Sequence, residues 1–125
     1  MWKEFNPNPC GIRVGDCAIR AICAAEDLSW YEAYDDLVHY GRRLCNLPNA
    51  NEVWGAYLKD KGYTRHVIEN TCPACYTVRD FCRDHPDGIY VLGTGSHVVT
   101  VIFGDYLDAW DSGSETPVYY WRADL

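Results

Sequence analysis

The chain has 125 residues, 48% apolar and 14% aromatic, a composition that supports one packed core and excludes a disordered polymer. Eleven basic residues stand against eighteen acidic ones, a net charge of −7, which argues against a nucleic-acid or membrane-surface partner. No apolar run approaches the ~20 residues of a membrane span, and the opening MWKEFNPNP has no secretory pattern. The expectation is one cytoplasmic domain over residues 1–125 with mostly reduced thiols.

Residues 1–15 read as irregular, broken by Pro7, Pro9, Gly11 and Gly15. Asp16 is placed as an N-cap whose carboxylate accepts from N–H groups two or three residues on. The stretch CAIRAICAA from Cys17 reads as a helix, apolar nearly all round, with Arg20 its only charge; such a helix is buried. LSWYEAYDDLVHYG is a second helix, with a Ser29/Glu32 capping box and Gly41 as its stop. NEVWGAYLKDKG is a third, capped by Asn51 and closed by Gly62; YTRHVI is a short strand; TVRDFCRDH is a short fourth helix. GIYVLG, HVVTVIF, YLDAW and VYYW are β-branched and aromatic runs separated by Gly, Asp and Ser, and read as consecutive antiparallel strands. Helices followed by a meander predict an α+β domain with the apolar helix packed on the sheet.

Cys17 raises the functional question. A helix N-terminus offers unpaired N–H groups and partial positive charge, which stabilise a thiolate and can hold an oxyanion. A nucleophilic thiol also needs a base. Of the four histidines, His39, His66 and His85 lie in polar settings, whereas His97 follows GTGS and opens an apolar strand. A third group must orient the imidazole. The next strand carries Asp108 and Asp111. A two-residue turn at 103–104 favours Asp108, and a three-residue loop at 103–105 favours Asp111; a one-residue slip swaps the faces.

The order of a Cys at a central helix start, a His opening a strand and an acid on the next strand resembles the papain-like cysteine peptidases. The segment Asp108-Ala109-Trp110 is similar to that family's Asn-Ser-Trp, in which the Trp shields the hydrogen bond between His and its partner. The resemblance implies a minimal papain-like domain, with Cys17, His97 and Asp108 as the catalytic site and Asp111 as the alternate third member. It also implies a side-chain amide as oxyanion donor, here Asn8 or, alternatively, Asn6. The substrate would be a peptide or protein, cleaved at an amide or isopeptide bond through a thioester, with no cofactor. The DC at a helix start and HVV at a strand start also resemble NlpC/P60-type amidases.

Two other chemistries compete. Cys72-Pro-Ala-Cys75 resembles the redox site of glutaredoxin-like proteins. Cys72, Cys75, Cys82 and His85 together have the ligand types of a structural zinc site. The simpler reading of these thiols, and of Cys23, is small buried core residues. A non-catalytic binding domain is the third class, with Trp30, Tyr31, Tyr34, Trp54 and Tyr57 expected to face the core.

Overall fold

The computed structural model describes residues 1–124. It shows a mixed α+β architecture, helices first and most of the sheet after them. Strand β1 (Trp2–Glu4) precedes helices α1 (Cys17–Glu26), α2 (Trp30–Leu44) and α3 (Asn51–Asp60). Then come β2 (Thr64–Val67), α4 (Val78–Asp84), β3 (Ile89–Gly93), β4 (Val98–Ile102), β5 (Asp105–Asp108) and β6 (Tyr119–Arg122). They form one six-stranded sheet in the order β1-β5-β4-β3-β6-β2. Among the described residues, no helix is long and apolar enough to cross a membrane.

The expected meander holds for β3, β4 and β5, which pair antiparallel in sequence. The rest is rearranged. β6 returns to the far side of β3, and the first residues, expected to be irregular, form a strand parallel to β5. Three residues with one aromatic carry no period-2 pattern, so only the neighbouring strand reveals β1.

Alternation along the strands builds two cores. Val91, Val98 and Trp121 pack with Ile22, Leu37, Trp54 and Leu58 from the first three helices. Leu92, Val99, Val101 and Tyr106 pack with Val78 and Phe81 from α4. α1 is buried as its composition required, and Thr100 Oγ1 donates to the Ala21 carbonyl at 2.7 Å, tying β4 to it.

Three local expectations change. Helix α2 does not stop at Gly41; it runs to Leu44 and ends on left-handed Cys45. Gly41 is instead a close approach, where an added Cβ would lie 2.8 Å from the Asn46 carbonyl oxygen. Asn51 is the first residue of α3 rather than its cap, and its Oδ1 accepts from Trp54 Nε1 at 3.1 Å. Trp54 and Tyr57 are core residues and Trp30 is half-buried, but Tyr31 and Tyr34 are exposed.

Candidate active site

Two local structures deliver the main residues. Cys17 is the first residue of α1. His97 immediately precedes β4, and its loop is fastened by Thr94: Thr94 Oγ1 accepts from the His97 N–H at 2.9 Å, while Thr94 N–H donates to the His97 carbonyl at 2.8 Å. A stitched loop fixes where the imidazole leaves the backbone.

The register between β4 and β5 selects the acid. Phe103 and Gly104, both with positive φ, make a two-residue turn, and Thr100 pairs with Leu107. Asp108 therefore falls beside the strand end that carries His97, and His97 Nε2 and Asp108 Oδ2 are 2.6 Å apart. Asp111 is not the orienting acid. It lies outward, held by the Arg79 guanidinium at 3.2 Å and by the Tyr106 hydroxyl.

Nε2 is engaged by Asp108, which leaves Nδ1 as the ring nitrogen free of that bond, and the imidazole lies near enough to Cys17 to bear on its thiol. Burial would push the Cys17 thiol up, but the His97 hydrogen bond and charge, the Val98 N–H and Arg20 bring it below the ordinary thiol value. Burial would likewise lower His97, yet its bonds to Asp108 and Cys17 and their charges raise it to about 9. Burial opposes ionisation of Asp108, and the hydrogen bonds from His97 and Ser112 with the charges of His97 and Arg20 hold it below the usual carboxylate range. The other buried free thiols contrast with Cys17: burial pushes Cys23 and Cys82 up to about 11. These two fit the core reading.

Asp108 is fully buried and its oxygens are used. Oδ2 accepts from the Ser112 hydroxyl at 2.6 Å as well as from His97; Oδ1 accepts from the Ala109 N–H at 2.8 Å and from Arg20. The Trp110 ring lies 4.8 Å from the imidazole, centroid to centroid.

Asp16 occupies the N-cap position but makes no cap hydrogen bond. Its φ of −109° and ψ of 28° depart from the extended backbone of a capping residue. Its carboxylate accepts from Arg20 Nη1 at 2.7 Å and from Trp30 Nε1 at 2.9 Å, and a charge-assisted bond to a guanidinium outcompetes a backbone donor. The first N–H groups of α1 consequently receive no side-chain cap. Sequence reasoning noticed Arg20 only as a lone charge and assigned no role to Ser112. The signal for Arg20 was present: one cation on a helix otherwise too apolar to face water, four residues after Asp16.

The asparagines expected to supply an oxyanion donor serve their own loop. Asn6 Nδ2 donates to the Ile12 carbonyl at 3.1 Å, which holds that amide to its own loop. Asn8 Oδ1 accepts from the Cys10 N–H at 2.8 Å. Neither is hydrogen-bonded to Cys17 among the described residues.

The zinc set does not assemble. Cys72 and Cys75 form a disulfide with each other, which removes both thiolates from metal ligation. Neither is a core residue, Cys72 being exposed and Cys75 half-buried. Cys82 is buried against the sheet, and His85 stacks on Phe81 while its Nδ1 bonds the Phe81 carbonyl at 2.9 Å. Among the described residues, no group of three or more His, Cys, Asp or Glu side chains is arranged to hold a metal ion.

No protein-family model, curated protein or solved structure matches the chain.

Proposed function

We propose that the chain is a thiol hydrolase of papain-like fold that cleaves amide or isopeptide bonds at Cys17, with His97 as general base and acid and Asp108 as the group that orients it. One observation carries this reading: an imidazole pinned by a buried carboxylate through Nε2 lies beside a thiol at a helix start. A core cysteine has no use for that arrangement. A nucleophile requires it.

The steps follow from the geometry. His97 Nδ1 takes the Cys17 proton, giving an imidazolium beside a thiolate; a thiol held below its ordinary value and a raised imidazole both lean the exchange toward that pair. The thiolate sulfur attacks the substrate carbonyl carbon, and the carbonyl π pair moves onto oxygen. That oxyanion meets the uncapped N–H of Cys17 at the first turn of α1. As the oxyanion collapses, the C–N bond breaks and His97 donates its proton to the departing amine, leaving a thioester. Water, deprotonated by His97, attacks the thioester and releases the acid and the thiol.

The test is reaction with a peptidyl electrophile that acylates or alkylates thiol hydrolases. The wild-type protein should be labelled on Cys17, and Cys17→Ala should fold normally and lose that label. Equal labelling of Cys17→Ala overturns the proposal.

A further inference from the structure

The guanidinium of Arg20 takes no part in the steps above, yet it touches both ends of the site. Its Nη1 bonds Asp16 Oδ1 at 2.7 Å, while Nε and Nη2 bond Asp108 Oδ1 at 3.1 and 2.9 Å. The three residues are 5%, 4% and 0% exposed. Stability alone is a weak reason for such a cluster, because buried ion pairs can often be exchanged for apolar groups at little cost. Geometry is a stronger one. The fork bolts the first turn of α1, which carries Cys17, to the end of β5, which carries the acid behind His97. It also draws the Asp16 carboxylate away from the N–H groups that a capping residue would occupy. An aspartate capping that turn would compete with an oxyanion for the same donors and set a negative charge beside the thiolate.

We propose that Arg20 is a positioning residue of the Cys17 site: through Asp108 it fixes the imidazole, and through Asp16 it keeps the first N–H groups of α1 open to the substrate oxyanion. This rests on the reading of Cys17 as the nucleophile. The charged groups that bear on the pair are Asp16 at the N-cap position, Arg20 from α1 and Asp108 from β5.

The test is the pH dependence of Cys17 alkylation by iodoacetamide, read peptide by peptide by mass spectrometry, with the exposed thiols Cys10 and Cys45 as references in the same sample. Wild-type Cys17 should react with a midpoint below the ~8.5 of an unperturbed thiol. Arg20→Gln should raise that midpoint by about one unit. Adding Asp16→Asn should give back part of the shift, because the released carboxylate is then gone; a purely structural Arg20 would make the double variant no better than the single one. If Arg20→Gln fails to fold, Arg20→Lys carries the test. Its single ammonium lacks the guanidinium fork, so its midpoint should rise by a smaller amount, reversed by Asp16→Asn. A folded Arg20→Gln, or failing that Arg20→Lys, with the wild-type profile overturns the role of Arg20 and leaves the site reading standing. An ordinary thiol profile in the wild type overturns both.

Discussion

Replacing Asp108 by Asn tests the electrostatic core of the site at nearly constant shape. The carboxylate accepts from the His97 ring, the Ser112 hydroxyl, Arg20 and the Ala109 N–H. A carboxamide has one acceptor oxygen and one donor nitrogen. Turned with its oxygen to His97, it points an NH₂ at the guanidinium and the Ala109 N–H. Turned the other way, it donates to Nε2 and drives the ring proton to Nδ1, the nitrogen that must take the proton of Cys17. The first orientation keeps Nδ1 free but sets a donor against two donors; the second satisfies Arg20 and the Ala109 N–H and removes the base, so it prevails while the shape survives. Hydrolysis should fall on the order of 10³–10⁴-fold, the scale of a wrong tautomer in a triad. The rise of His97 from 6.5 to about 9 corresponds to ~3 kcal/mol of preferential imidazolium stabilisation, shared among Asp108 and Cys17. A raised imidazole contributes stability that is complete below its unfolded value and is lost as pH rises through about 9. A depressed carboxyl contributes stability that is present above its unfolded value and lost as pH falls through the folded one. The deficit of Asp108→Asn in urea unfolding should therefore be widest near about pH 6 and should shrink at about pH 10, where only the parts due to Arg20, Ser112 and the Ala109 N–H remain. An NMR titration of the His97 ring should show its midpoint falling toward or below 6.5, because burial persists and the carboxylate does not. A His97 that still titrates near 9 in the variant, or a deficit that ignores pH, would refute the reasoning.

Ser112→Ala removes one bond to a buried anion and should cost about 1.5–3 kcal/mol in chemical denaturation, with Cys17 alkylation retained at reduced rate. Gly41→Ala forces a methyl against the Asn46 carbonyl and should cost about 1–3 kcal/mol in the same assay, leaving Cys17 alkylation at its wild-type rate.

Much of the site was legible because each residue sits where an element begins or ends, and punctuation is what a sequence records best. Gly15-Asp16 marked the start of α1, GTGS marked the start of β4, and the turn signal at Phe103-Gly104 narrowed the acid to two aspartates. The choice between them needed the register, which depends on one left-handed phenylalanine that no propensity rule favours. Asp16 was misread for a related reason: capping preference is local, whereas the guanidinium that captures the carboxylate is itself held by Asp108, 88 residues along the chain from Arg20. β1 and the return of β6 beside β3 were invisible because short strands acquire identity from their neighbours. Gly41 looked like a terminator, since a glycine that permits close packing and one that ends a helix are the same letter.

The main chain of Asp108 is gripped from the opposite end of the polymer: its carbonyl accepts the Phe5 N–H at 2.8 Å and the Trp2 indole N–H at 3.1 Å. No excised fragment can therefore keep this constellation, which draws at once on residues 2–5, 17–20, 97 and 108–112. Sulfhydryl reactivity at position 17 below the ordinary thiol range becomes a gauge of folding, unattained until residues 2–5 and 108–112 have closed on each other.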